Sequence, residues 1–448
     1  MTVVGALLWI SLIHAHKGVT VRNSRRTTAV AVAGAAVFAL VATGCQSTDA
    51  GTGSTDWENE KITLTVATFN TFGYTDELLD GFTKLHPNVT IEHTIAATSN
   101  DARTNYFTKL GAGSGLADVE AVEIDWFAEL MQYSDKLTDL SSDNVKDRWV
   151  QWKTDAATDA DGRLIAYGTD IGPEAICYRS DLFAAAGLPT DREEVATLLE
   201  GDWDHYFEVG QEFVANSDAA WFDSAGATYQ GQVNQIKNAY EKNDGTVIAT
   251  ENPEIEELYN STLDASADLS AHLGQWSDDW AAGMANGAFA TMLCPGWMLG
   301  VISGNSPDVT TWDVANVFPG GGGNWGGSYL TVPAQGAHTE AAKALADYLT
   351  TPESQLKAFV EAGTFPSQVA AYGTPELEEY TNEFFNNAPV GTIFTDRANA
   401  VDVAPFKAAK YFPINDAMMN ALSRVDVDGT DDASTSWDKF VADVEALG

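Results

Sequence analysis

The sequence predicts an α/β protein, built as two lobes around a ligand cleft. Three observations point there. From Lys61 onward, short apolar strands alternate with amphipathic helical stretches, the pattern of sheets covered by helices. The composition is globular: 448 residues, 45% hydrophobic and 20% charged, suit two or three domains. And tryptophans stand on glycine-rich turns at strand ends, displayed rather than packed. Cys294-Pro-Gly-Trp297 closes the apolar run 288–294, and Trp325 lies within Gly-Gly-Gly-Asn-Trp-Gly-Gly.

The N-terminal stretch reads as an address. Arg22, Arg25 and Arg26 form a basic patch ahead of the 14-residue apolar run 29–42, too short to span a bilayer and suited to a signal h-region. Ala42-Thr-Gly-Cys45 resembles a bacterial lipobox, with Ala42 replacing the usual leucine. Residues 1–44 are therefore expected to be a signal peptide, Cys45 the lipidated first mature residue, and 45–60 a tether. Residues 1–18 place a second apolar run before the basic patch and read as an over-extended start.

The first lobe opens with an alternating strand, 61–69, ending in Asn70-Thr-Phe72-Gly-Tyr74. Thr75 caps a helix with Leu78, Leu79, Phe82 and Leu85 on one face. A strand at 89–95 follows, then a helix capped by Ser99-Asn100-Asp101, then a strand at 118–124 ending at Asp125-Trp126. Ligands of parallel α/β sheets bind beyond the carboxyl ends of the strands. Here those ends hold Asn70, Phe72, Tyr74, Asn100, Asp101, Asp125 and Trp126. No glycine fingerprint follows the first strand, so a dinucleotide is not expected.

A short strand at 164–167 leads to Gly168-Thr-Asp170-Ile-Gly-Pro173, a candidate hinge. A strand at 174–180 and helices at 182–186 and 203–215 begin the second lobe. Strands at 312–318 and 329–332 flank the second glycine-rich loop, and helices start at Thr339 and Pro352.

The run from Pro173 to Pro189 (Pro-Glu-Ala-Ile-Cys-Tyr-Arg-Ser-Asp-Leu-Phe-Ala-Ala-Ala-Gly-Leu-Pro) resembles a segment of a known family. So do Trp203-Asp204, the stretch from Trp280 to Trp297, Gly326-Gly-Ser-Tyr-Leu-Thr-Val332, Thr351-Pro-Glu-Ser354 and Thr364-Phe-Pro-Ser367. The family is the extracellular solute-binding proteins of sugar ABC importers, the group that includes the maltose-binding protein. The resemblance covers 62–447. Asn70-Thr-Phe-Gly-Tyr74 and Thr98-Ser-Asn-Asp-Ala-Arg103 are most similar to cellobiose and cello-oligosaccharide binders. It implies a two-lobed periplasmic-binding-protein-like fold (type II) with several hinge crossings. One lobe would comprise 61–170 and 314–372, the other 171–310 and 376–448. It implies a monomeric, non-enzymatic receptor without cofactor, lipid-anchored at the outer face of the cytoplasmic membrane. That receptor would capture an oligosaccharide, cellobiose or cellotriose, and deliver it to the membrane subunits of an ABC importer.

A sugar needs flat rings for its C–H faces and paired polar groups for its hydroxyls. Trp297, Trp325, Trp126 and Trp276 are the stacking candidates. Asp125 and Asp101 are the hydroxyl acceptors, with Asn70, Asn100, Arg103, Asp170 and Arg397 as further polar partners. Phe72 and Tyr74 either line the cleft or close the first helix. Cys177 and Cys294, on two strands of one lobe, either form a disulfide or are two small buried residues.

Composition narrows the alternatives. The net charge is −40, and the first 44 residues hold four basic residues and no acid. Such a chain repels phosphate backbones, so nucleic acid is not a partner. The seven scattered histidines give no metal-ligand set, and Asp426-Val-Asp-Gly-Thr-Asp-Asp432 misplaces its glycine for a calcium loop. Gly320–Gly323 lacks the Gly-Lys-Ser/Thr of a phosphate loop. An extracellular glycoside hydrolase would also carry tryptophan platforms and carboxylates, and a binder of a polyamine would suit the acidity.

Overall fold

A computed structural model describes residues 57–448. The signal-peptide and lipobox expectations, Cys45 included, lie outside the described residues. Ten strands occur among the described residues: β1 (Ile62–Phe69), β2 (Val89–Ala96), β3 (Val119–Glu123), β4 (Ala166–Gly168), β5 (Asp170–Ile171), β6 (Glu174–Arg179), β7 (Thr291–Pro295), β8 (Trp312–Ala315), β9 (Ser328–Thr331) and β10 (Phe365–Pro366).

The first sheet has the order β2-β1-β3-β9-β4. β1, β2 and β3 run parallel, as the strand–helix–strand pattern predicts, but β9 is antiparallel to both β3 and β4. The sheet is therefore mixed, because β9 enters from the far half of the chain. Alternation along β1 buries Ile62, Leu64 and Val66 against the helix Asp76–Leu85 and its neighbours. Thr75 caps that helix through its side chain, which accepts from the Leu78 amide.

Among the boundaries that differ from the sequence reading, two bear on the site. The helix Ser99–Ala112 is capped by Thr98, one residue earlier than expected. β3 stops at Glu123, and Asp125 and Trp126 fall in the first turn of the helix Ile124–Leu130. Glu123 caps it: its carboxylate accepts the Asp125 amide at 2.9 Å, which turns the chain before the strand can continue.

The second sheet is antiparallel, β7-β6-β8. β6 is buried on both faces, and its side chains alternate between two cores. Ala175 and Cys177 face one with Trp312 and Phe365; Ile176 and Tyr178 face another with Phe183, Tyr206 and Trp221. Cys177 and Cys294 are joined by a disulfide between β6 and β7, their Cα atoms 5.4 Å apart. A further core is all-helical: Tyr229, Tyr240, Tyr259, Tyr411, Ile414 and Phe440 pack helices Ala225–Val233, Pro253–Leu269, Tyr411–Asp426 and Ala433–Ala446 together.

Between the two sheets the chain crosses repeatedly. β5 pairs with β10, Pro173 bridges to Asn324, and the Trp325 amide bonds to the Gly172 carbonyl at 2.8 Å. Asn324 Oδ1 accepts the Gly172 amide at 2.9 Å. Gly172 is required by closeness rather than by its dihedral angles, because a Cβ there would collide with the Trp325 carbonyl. The hinge expected at 168–173 is thus a braced crossing of short paired strands.

Candidate functional site

A cavity of about 550 Å³ lies where these elements meet. That is within the usual range for small-molecule sites. The ends of β1 and β3 contribute Asn70, Phe72, Glu123 and Asp125, and the crossings contribute Asp170, Trp325, Ser328 and Thr364. Trp297 follows β7, Trp276 lies on a turn, and the helices Ala225–Val233 and Tyr411–Asp426 each turn one face inward.

Three tryptophans line one side of the cavity in a row. The Trp276 and Trp297 rings are near-parallel, 6.1 Å apart and inclined by 20°. Trp325 meets Trp297 edge-on at 5.7 Å and 88°. Pro295-Gly296 ends β7 and sets Trp297 just ahead of the helix Met298–Asn305. Its indole Nε1 donates to the Trp325 carbonyl at 2.9 Å, which fixes the ring relative to the crossing. Trp276 is 46% exposed and has a φ of 70°, a backbone that non-glycine residues adopt at a cost and that turns its ring outward to the cavity. A row of large, partly exposed rings is a surface on which flat, weakly apolar faces can stack.

The polar lining is a set of amides and hydroxyls with four carboxylates among them, Glu123, Asp125, Asp170 and Asp416. Asp170, 5% exposed, accepts the Ser328 amide at 2.9 Å and the Thr169 hydroxyl at 2.7 Å. Burial raises its pKa, and Lys153 opposes that rise. Lys153 is 1% exposed, and its Nζ has no hydrogen-bond partner among the described residues and sits 4.1 Å over the Tyr329 ring. Burial pushes it down to about 8 against the pull of Asp170 and Glu123. Glu123 is raised well above the carboxylate range, first by burial and then by Asp125 beside it. Asp125 is ion-paired with Lys407. Asn70, at a φ of 49°, holds a buried Oδ1 with no partner among the described residues. That is an acceptor available to a ligand donor.

Of the residues singled out from sequence, Trp297, Trp325, Trp276, Asp125, Asp170, Asn70, Asn100 and Phe72 line the cavity together. Five do not. Trp126 is fully buried, packed on Tyr106 and Phe107, with its Nε1 donating to Ser99 Oγ at 3.0 Å. The early end of β3 turns it into the core. Asp101 lies in the first turn of its helix, where its carboxylate accepts the hydroxyl of the capping Thr98 and its amide donates to that same hydroxyl. Arg103 pairs with Glu129 at 2.6 Å and lies over Phe412. Tyr74 packs against Phe72 behind the cavity, its hydroxyl buried. Arg397 donates to the Gly321 carbonyl at 3.0 Å.

Other lining residues escaped the strand-end argument. Phe412, Asp416, Met419 and Ser423 line the cavity from one helix at spacings of four, three and four. That spacing marks one face, and in sequence it reads as an ordinary half-buried surface. Gln230 is held by Asn415, whose Nδ2 donates to it at 2.9 Å. Gln275 is tied to Asp223 at 2.9 Å. Amides fixed in this way offer oriented donors and acceptors.

Braced strand crossings between two sheets, with a platform of rings and carboxylates where they meet, define a two-lobed solute-binding protein of the periplasmic-binding type. The chain belongs to the bacterial extracellular solute-binding protein family, whose profile matches residues 77–386. A solved extracellular solute-binding protein of family 1 is similar at 47% identity, over 86% of this chain and 99% of that one, with a TM-score of 0.76. The fold is shared with an ABC-transporter-associated binding protein from B. animalis subsp. lactis Bl-04 in complex with β-1,6-galactobiose. That match has 19% identity, 87% and 97% coverage and a TM-score of 0.73. It is shared also with maltose-bound MalE3 of T. maritima, at 18% identity, 86% and 100% coverage and a TM-score of 0.68. No curated protein sequence matches the chain significantly. No helix among the described residues is long and apolar enough to cross a membrane.

Proposed function

We propose that this protein is the receptor of an ABC importer and captures a neutral oligosaccharide, cellobiose or cellotriose. One observation carries the reading: the Trp276–Trp297–Trp325 row shares a single cavity with Glu123, Asp125 and Asp170. The rings take the C–H faces of a saccharide, and the carboxylates take its hydroxyls. Lys407 on Asp125 and Lys153 beside Asp170 offset much of the acidity, which favours a neutral ligand over a polyamine. The saccharides bound to the B. animalis and T. maritima proteins support the class and leave linkage open.

In this reading the protein is a monomer anchored through lipid on Cys45. Two lobes, 61–170 with 314–372 and 171–310 with 376–448, close on the sugar. The protein performs no chemistry on its ligand. Titration calorimetry of the mature protein tests the reading with cellobiose, cellotriose, xylobiose, maltose and spermidine. Cello-oligosaccharides should give saturable heat, and the recovered sugar should be unchanged. Silence with every saccharide, or heat with spermidine alone, defeats it.

A further inference from the structure

Asp125 and Lys407 lie 282 positions apart and come from different cores. Asp125 stands in the helix Ile124–Leu130, which packs on the first sheet. Lys407 lies in the irregular segment 400–410, just before the helix Tyr411–Asp426 of the all-helical core. Its Nζ donates to Asp125 Oδ1. Both side chains are largely enclosed, 8% exposed for the lysine and 13% for the aspartate. Asp125 lines the cavity and Lys407 does not, so the lysine stands behind the carboxylate and out of a ligand's path.

The surroundings explain why a cation is needed there. Asp125 and Glu123 are neighbours on one turn, and Asp170 and Asp416 line the same cavity. An enclosed carboxylate among other acids is repelled by them and turns away unless a cation holds it. Burial alone would lower Lys407, but Asp125, Tyr411 and Glu123 outweigh it and raise the ammonium above its ordinary value. The Lys407 Nζ also lies 4.8 Å from the Tyr411 ring centre, which limits its own movement. A neighbouring contact also reaches the helix Tyr411–Asp426: Arg103 of the helix Ser99–Ala112, paired with Glu129, lies 4.4 Å over the Phe412 ring.

We propose that Lys407 is a positioning residue for saccharide binding, holding the Asp125 carboxylate in place so that Oδ2 accepts a ligand hydroxyl. This rests on the saccharide reading above. It goes further in making that acceptor depend on a lysine from another core. Lys407 occupies Oδ1 through a charge-assisted bond and leaves Oδ2 for the sugar. The acceptor is complete only where the first-sheet core and the all-helical core meet.

Calorimetry with cellotriose, or with whichever panel saccharide the wild type binds best, tests the proposal in a variant set. Lys407→Met and Asp125→Asn should each weaken binding at least ~10-fold, and the double variant no more than the worse single one, because the two act as one unit. Lys407→Arg should restore affinity to within about threefold of wild type. Lys410→Met, a lysine change three residues away that removes no contact to Asp125, should bind as wild type does. Should Lys407→Met fail to fold, Lys407→Gln replaces it, keeping a donor without the charge. Three outcomes overturn the proposal: wild-type affinity in the Met or Gln variant, additive losses in the double variant, or a loss in Lys410→Met equal to that in Lys407→Met. A wild type that binds no saccharide defeats the underlying reading instead, so the two failures are told apart.

Discussion

Trp297 gathers three constraints in one side chain. The Pro295-Gly296 turn ends its strand, its indole N–H holds the Trp325 carbonyl, and its ring lies between those of Trp276 and Trp325. Trp297→Ala should weaken saccharide binding at least ~10-fold, about 1.4 kcal/mol, with an unchanged circular dichroism spectrum. Trp297→Phe keeps a ring but loses the bond to Trp325 and should fall between the two. Unaltered affinity in the alanine variant would place the sugar elsewhere. Glu174 presents the opposite case. It is fully buried at the start of β6, and neither oxygen has a hydrogen bond among the described residues. Burial raises its pKa well above the ordinary 4.5, with Lys407 only partly opposing the rise. Between those two values the native state keeps a proton that the unfolded chain has released. Stability therefore falls as pH rises through that window. Glu174→Gln removes this dependence. Urea unfolding should find the variant more stable than wild type near pH ~7, with the gap closing toward pH ~4. Parallel stability curves for the two proteins would show that the carboxyl is ionised in the fold.

At the scale of elements, the disulfide is the clearest single contribution. Cys177 and Cys294 close a sequence separation of 117 and tie β6 to β7, where Ala175 stands opposite Cys294. Replacing both with alanine should lower the unfolding free energy by ~2–5 kcal/mol, read from urea denaturation. Affinity in native conditions should hold, because neither cysteine lines the cavity. The strands themselves were legible in sequence. Alternation marked β1, a Gly/Pro cluster marked the crossing at 168–173, and Thr75 marked a helix start. The site was half legible, and its misses share a cause. Strand-end reasoning finds residues such as Asn70 and Asp125, whose position follows from local chain direction. It failed at Trp126, where one residue of difference in the end of β3 decides between cavity and core. It could not find Lys407, whose partner is 282 positions away. Nor could it find the stripe on the helix Tyr411–Asp426, whose spacing is the same whether the face meets a core or a ligand.

On the scale of the whole molecule, the cavity has no single owner. Asn70, Glu123 and Asp125 come from the first sheet, Trp297 follows the second, Gln230 and Asp416 come from the all-helical core, and Asp170 and Trp325 sit on the crossings between the sheets. If the protein closes on a saccharide as proposed, a ligand that touches all of them is best bound when they are closest together, and binding would shift the molecule toward a more compact form. In the proposed closure the crossings would act as the pivot, because β5 with β10, and the pairing around Gly172, Asn324 and Trp325, join the two sheets. Small-angle scattering should therefore show a smaller radius of gyration with saturating cello-oligosaccharide than without. By mass action the same ligand at ~100 times its dissociation constant should add about 2.7 kcal/mol to stability. The Trp297→Ala variant separates binding from compaction. At equal saturation it should reach the same radius as wild type, because the ring adds affinity while the crossings define the closed geometry. A saturated wild type that does not contract would mean that the site is already closed without its ligand.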